Sequence, residues 1–180
     1  MTDAELAARA AAGDADAFGR LVDIHAPAAR RAAHAVLGNA DDADDAAQDG
    51  FLAAWRALGG YDPARPFRPW LMRIVVNAAR DLRRRRRVRH TEPLPPQHAA
   101  GTRGPDHDAS RALLRDRLGE ALAALTERQR VAITLFDAEG YAHAEIAELL
   151  GVPEGTVRSD VFHARRAMRK ALAPYQEESR

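Results

Sequence analysis

Apolar residues recur along the chain at every third or fourth position and nowhere alternate over any length, which predicts helices throughout and an all-α fold. Between residues 5 and 36, Leu6, Ala10, Phe18, Leu21, Val22 and Ile24 supply an apolar face, interrupted around Gly13 and Asp14. Asn39 or Asp41 can cap the next helix, because their side-chain oxygens accept amide hydrogens that a first turn leaves without partners. Ala47, Phe51, Ala54, Trp55 and Leu58 carry that helix to about Leu58, where Gly59 and Gly60 stop it. After the loop Tyr61-Asp62-Pro63-Ala64-Arg65-Pro66, a third helix starts near Phe67 and continues into a run of arginines. Its buried side is Trp70, Leu71, Ile74, Val75, Ala78 and Leu82.

The pattern then breaks. Pro93, Pro95, Pro96 and Pro105 fall with Gly101 and Gly104 in a stretch whose single large apolar residue is Leu94. Such a segment buries too little surface to order itself, so residues 91–109 read as a flexible linker. The chain therefore divides into a helical domain 1–90, the linker 91–109 and a second helical domain 110–180. In the second domain, Thr126-Glu127-Arg128-Gln129 forms a capping box that opens a helix ending near Gly140. A short helix follows from about Ala142 to Leu150, Gly151 makes a turn, and Pro153 opens a last helix reaching about Leu172.

Composition narrows the class. The chain has 180 residues, room for one ordinary domain or two small ones. Much of its apolar share is alanine, which calls for closely packed helices with few bulky anchors. With no cysteine, disulfides and thiolate metal sites are excluded. Residues 1–20 hold no apolar signal-peptide core and no stretch approaches a membrane span, so a soluble cytoplasmic product without membrane insertion is expected. The net charge of +1 conceals a division: residues 1–60 carry 5 arginines against 10 acids, and residues 61–92 carry 10 arginines against 3 acids. A basic surface suits phosphates and an acidic one suits a basic protein, which suggests two binding surfaces on one domain.

The most specific motif runs from Gly140 to Ser159. Two helices joined by a short glycine turn describe a helix-turn-helix, with Ala147 small where the helices cross and Ile146, Leu150, Val152 and Val157 sealing the corner. On the second helix Val157, Val161, Ala164 and Met168 share one face, while Thr156, Arg158, Ser159, His163 and Arg166 lie opposite. That arrangement suits a helix in the DNA major groove. An ordinary helical hairpin with a solvated face is the bland alternative, and the glycine turn and polar face together count against it.

Two other clusters need weighing. The run Arg83-Arg84-Arg85-Arg86-Arg87, flanked by Arg80 and Arg89, is either a solvated helix end or a phosphate contact. Phe67, Trp70 and Asn77 upstream tilt it toward single-stranded nucleic acid, which needs stacking and edge contacts. Asp41-Asp42-Ala43-Asp44-Asp45 matches the aspartate-rich pattern that binds magnesium diphosphate in isoprenoid synthases. That chemistry needs a second aspartate-rich helix, and the sequence has none, so a helix start is the better reading. The seven histidines show no metal-binding spacing. No catalytic residue, metal or cofactor is expected, and the chain reads as a binding protein rather than an enzyme.

Residues 43–58, Ala-Asp-Asp-Ala-Ala-Gln-Asp-Gly-Phe-Leu-Ala-Ala-Trp-Arg-Ala-Leu, resemble the polymerase-binding helix of extracytoplasmic-function (ECF) sigma factors of the sigma-70 family. Residues 66–77, Pro-Phe-Arg-Pro-Trp-Leu-Met-Arg-Ile-Val-Val-Asn, resemble the promoter-melting segment that follows it, and the C-terminal helix-turn-helix is similar to the domain that reads the −35 element. The resemblance implies a transcription initiation factor whose partners are core RNA polymerase, promoter DNA and an anti-sigma factor. It implies that residues 1–90 are sigma region 2 and residues 110–180 sigma region 4. Asp45, Gln48, Asp49, Phe51 and Leu52 would meet the polymerase. The loop from Tyr61 to Pro66 would hold an unstacked −10 base, with Phe67, Trp70, Asn77, Arg80, Asp81 and Arg84 along the single strand. Thr156, Arg158, Ser159, Phe162, His163 and Arg166 would face the −35 duplex, and Arg165 with Arg166 would reach phosphates.

Four positions depart from the family. Asp160 stands where a basic residue is usual and is expected to repel phosphates, so Asp160→Arg should raise DNA affinity. Ala142 replaces a capping serine, and Gly50 and Pro69 sit where less disruptive residues are common. A response-regulator type of transcription factor shares the C-terminal motif, but it requires an N-terminal α/β receiver that the helical periodicity of residues 1–90 does not provide.

Overall fold

The computed structural model describes residues 1–89 and 108–178. Among them every regular element is helical. An N-terminal unit carries α1 (Asp3–Ala11), α2 (Ala15–Leu37), α3 (Ala40–Ala57) and α4 (Phe67–Arg89), and a C-terminal unit carries α5 (Asp108–Ala123), α6 (Glu127–Ile133), most of α7 (His143–Leu150) and α8 (Glu154–Glu178). Most of the expected linker lies outside the described residues. Its end is corrected, since α5 begins at Asp108 rather than 110, and the last helix continues past Leu172 to Glu178.

Caps set the boundaries in the N-terminal unit. The Thr2 hydroxyl accepts from the Glu5 amide (3.2 Å) and the Glu5 carboxylate accepts from the Thr2 amide (2.8 Å), a reciprocal box that starts α1. At the interruption, Asp14 accepts from Ala17 N–H (3.0 Å) to start α2, and Arg9 reaches across Gly13 to the same carboxylate (2.6 Å). These bonds hold the Asp14 carboxyl below its ordinary range, the Ala17 amide first and the Arg9 side chain next. Asn39, not Asp41, caps α3: its Oδ1 accepts from Asp42 N–H at 2.8 Å. Asp41 sits in the first turn, where a carboxylate interacts favourably with the helix dipole.

Alanine builds this core by thinness. α2, α3 and α4 pack mutually, with α1 across α2 and α4. Ala29, Ala32, Ala33, Ala46, Ala54 and Ala79 are fully buried between Leu6, Leu21, Val36, Leu58, Leu71, Met72, Val75 and Val76. The tightest approach explains Gly50: a Cβ there would lie 2.9 Å from Val75 Cγ2 and 3.0 Å from Val75 Cα. Gly50→Ala gains roughly 1 kcal/mol of helix propensity but loses roughly 1–3 kcal/mol to overpacking, because backbone as well as side chain must move. A lower urea midpoint is expected, with recovery when Val75→Ala is added. Pro69 is accommodated because it falls in the first turn of α4, where its missing N–H has no helical acceptor to lose.

His25 of α2 is buried (4% exposed), and its Nε2 donates to the Asp3 carboxylate at 2.9 Å. Burial pushes its pKa below the ordinary 6.5, Asp3 opposes that, and Arg68 adds to the depression. The folded unit thus favours neutral imidazole. Its stabilisation is complete above the unfolded pKa and is lost as pH falls from there toward the lower folded value. The thermal midpoint should drop on acidification below about pH 6.5, and drop less in His25→Gln.

In the C-terminal unit the Thr126–Gln129 capping box forms as the sequence implies, with Gln129 N–H to Thr126 Oγ1 at 3.3 Å and Thr126 N–H to Gln129 Oε1 at 3.1 Å. The helix does not continue as α to Gly140. After Ile133 it widens into a π-helical turn, Thr134–Ala138, closed by Glu139 N–H on Thr134 O (3.2 Å). Leu125, Ile133 and Ala164 form a small core joined by Leu122, Ala167 and Met168. At α7, Ala142 lacks the capping hydroxyl, but Glu145 retains the other half of the box by accepting from Ala142 N–H at 2.8 Å. Gly151 turns the chain between α7 and α8 at φ +68°, a conformation that side-chain-bearing residues rarely adopt.

Candidate polymerase and nucleic-acid interfaces

The outer face of α3 presents Asp45, Gln48, Asp49 and Leu52, spaced by three and four residues and all exposed. Leu52 is 47% exposed. Beside it Trp55 is partly exposed, its ring set edge-on to Phe18 at 4.8 Å. Phe51 is corrected: it turns inward and belongs to the core. The expectation of separate acidic and basic surfaces is corrected in part as well. Asp42 is buried and paired with Arg86, Asp49 lies 3.4 Å from Arg85, and Asp44 lies 2.9 Å from Arg30. Two arginines of the run are therefore turned toward α3 rather than outward.

The loop from Tyr61 to Pro66 closes on itself. The Tyr61 hydroxyl donates to Arg65 O (2.5 Å), Arg65 N–H donates to Asp62 O (3.0 Å) and the Asp62 carboxylate accepts from Ala64 N–H (2.9 Å). Tyr61, Phe67 and Trp70 form a ring cluster with centroids 5.0–5.5 Å apart. Tyr61 and Phe67 are buried, which corrects the expectation that their faces are offered to an unstacked base; they support the loop from beneath. Burial, with Asp3 and Asp62 nearby, pushes the Tyr61 phenol up and keeps it a donor. Trp70 is half-buried at the start of a polar stripe along α4. That stripe holds Arg73, Asn77, Asp81 and Arg84, all exposed, with Arg80 half-buried among them, and Asp81 paired to Arg84. Arg73 was not legible as a site residue by motif, although its spacing of four from Asn77 places it on this face.

On α8, Val157, Val161 and Ala164 are buried, and Arg158, Ser159, Phe162, His163 and Arg166 are exposed, with Thr156 half-buried at the edge. Arg158 is held by Glu154 one turn earlier (2.6 Å). Phe162 is 57% exposed, its ring edge-on to His163. Two corrections concern the flanks. Asp160 does not face outward to repel phosphates: it is 5% exposed and accepts from Arg128 Nε of α6 at 2.5 Å. Arg165, expected at a phosphate, is bonded through Nε to Asp137 of the π turn (3.0 Å) and lies over the Phe136 ring (4.8 Å). Phe136 in turn stacks on His143 at the start of α7 (4.2 Å). Sequence reading missed Arg128, Phe136 and Asp137, since each acts through a partner far along the chain.

Among the described residues no group of three or more His, Cys, Asp or Glu side chains is arranged to hold a metal, and no helix is long and apolar enough to cross a membrane.

Residues 21–89 match the family model Sigma-70 region 2, and residues 115–168 match Sigma-70, region 4. The chain is 38% identical over 179 residues to RNA polymerase sigma factor NccH of Alcaligenes xylosoxydans xylosoxydans, covering 97% of this chain and 96% of that protein. It is 37% identical to ECF RNA polymerase sigma factor SigM of Mycobacterium tuberculosis, over 95% of this chain and 85% of that one. Among solved structures it is similar to CnrH in complex with the cytosolic domain of CnrY (35% identity, TM-score 0.71, covering 96% of this chain and 97% of that chain). The fold also matches the sigma factor RpoE from Bartonella quintana (24% identity, TM-score 0.74, covering 87% of this chain and 96% of that chain). With both regions matched in order and relatives alike over nearly its whole length, the chain belongs to the ECF sigma factors of the sigma-70 family and is an RNA polymerase sigma factor.

Proposed function

We propose that three exposed helix faces divide the work of initiation. The outer face of α3, with Asp45, Gln48, Asp49 and Leu52, docks on core RNA polymerase. The stripe of α4, with Asn77, Arg80, Asp81 and Arg84 and now Arg73, lines the separated −10 strand, entered past the Tyr61–Pro66 loop and Trp70. Thr156, Arg158, Ser159, Phe162, His163 and Arg166 of α8 read the −35 duplex, Arg158 through paired donors to a guanine. Residues 1–90 then work as region 2 and residues 110–180 as region 4, joined by residues 91–109. The observation that carries this reading is the pair of polar faces on α4 and α8, each backed by a buried apolar stripe that fixes which side chains face out.

The chain acts by binding, in the cytoplasm where polymerase works, and leaves nucleotide chemistry to the polymerase. CnrH is bound to the cytosolic domain of CnrY in its solved structure; by that likeness an anti-sigma factor is the proposed regulatory partner here. The response-regulator reading is disfavoured by an N-terminal unit that is helical through its described length.

Asn77→Ala tests the division of labour. An extruded base needs an edge partner, and Asn77 is exposed midway along the stripe. The variant should reduce permanganate reactivity of the melted strand about tenfold, a loss of the order of one charge-free base contact, while −35 duplex binding stays unchanged. Identical footprints in mutant and wild type would remove Asn77 from the site.

A further inference from the structure

The recognition helix is braced on both flanks by ion pairs of opposite polarity. Asp160 lies three residues after Val157 and one before Val161, on the side of the buried stripe that borders Thr156 and His163. Arg165 lies on the other flank, a step of seven from Arg158. A helix about 10–12 Å across fills a major groove about 12 Å wide, so the two phosphate backbones run along its flanks. A cation fixed at either flank therefore sits where a phosphate passes.

Arg128 meets that description. It projects from the first turn of α6 to the Thr156–His163 flank of α8, where Asp160 accepts from its Nε at 2.5 Å and from one terminal nitrogen at 3.4 Å. The carboxylate is enclosed, with 7% of its side chain exposed, yet 48% of the arginine side chain remains open. The guanidinium is a planar fork with five donors, and engaging one edge leaves others for a second acceptor. The pairing also removes the puzzle of an aspartate on a DNA-facing helix, since its charge is neutralised by a group that points outward. We propose that Arg128 is a phosphate contact of the −35 duplex and that Asp160 is its positioning residue. This rests on reading α8 as the −35 recognition helix.

The test uses the full chain assembled with core RNA polymerase and a −35 duplex selected by the wild type from a random pool. Single methylphosphonates, which remove one backbone charge each, are placed along both strands. Wild type against Arg158→Ala on matched and scrambled duplexes checks the underlying reading separately. The variant Arg128→Gln/Asp160→Asn removes both charges and leaves no orphan buried carboxylate. One methylphosphonate should cost the wild type about three- to tenfold and cost the double variant nothing, with the remaining positions behaving alike. The salt dependence of binding should become shallower by roughly one ion. Asp160→Asn alone should spread the loss over neighbouring phosphates, because the arginine is no longer held in one place. Equal losses at every phosphate in wild type and double variant would reduce the bridge to a brace within the fold. A sharp single-phosphate loss retained in Asp160→Asn would remove the positioning role of Asp160.

Discussion

Asp45→Lys combined with Leu52→Asp is expected to weaken binding to core RNA polymerase at least about a hundredfold, the scale on which a buried anchor and its neighbouring charge are lost together. Leu52 is the large apolar side chain exposed at the centre of the α3 face, and Asp45 lies seven residues earlier on the same side. Both point away from the core, where Ala43, Ala46, Gly50 and Ala54 hold the inner face, so the fold should tolerate the exchange to within about 0.5 kcal/mol. Asp49 is left in place because its reversal would also release Arg85. Competition of the variant against labelled wild type for core enzyme measures the loss, and a thermal melt checks the fold. Undiminished competition would transfer the polymerase contact to another face.

The second large effect reverses the sign expected from sequence. Asp160→Arg should not tighten DNA binding. It replaces an enclosed carboxylate with a long cation beside Arg128, so one buried partner is lost and two like charges face each other. The C-terminal unit should melt about 10 °C lower, and every duplex should bind less tightly. Adding Arg128→Asp restores an opposite pair and should recover most of the melting temperature. Stronger binding with an unchanged melt would return Asp160 to the surface role that the sequence suggested.

Where the reading from sequence held and where it failed follow from range. The Thr126–Gln129 box, the Asn39 cap, the Gly151 turn and the apolar stripe of α8 are set by residues within one or two turns, and each is visible as spacing. Phe51 and Leu52 differ by one step of about 100° around a helix, and a motif that names both cannot say which is core. The arginine run was read as one surface. On the helix Arg84 turns outward, while Arg85 and Arg86 turn to α3, which becomes plain once Asp49 and Asp42 are seen opposite. Arg128 and Asp160 are 32 residues apart, and Arg165 and Asp137 are 28 apart. No local rule joins them. The π turn that brings Phe136 and Asp137 to α8 is likewise a product of packing, with no composition of its own.

The central claim is that this chain confers promoter-specific initiation on core RNA polymerase through separate −10 and −35 contacts. Run-off transcription with purified core enzyme on a genomic promoter pool tests it most directly, with and without the chain and with the Asn77→Ala and Arg158→Ala variants. The account predicts a limited set of discrete start sites that require the chain, are lost with Arg158→Ala where the −35 element carries the paired guanine, and remain bound but unopened with Asn77→Ala. Transcripts identical to those of core enzyme alone would contradict it.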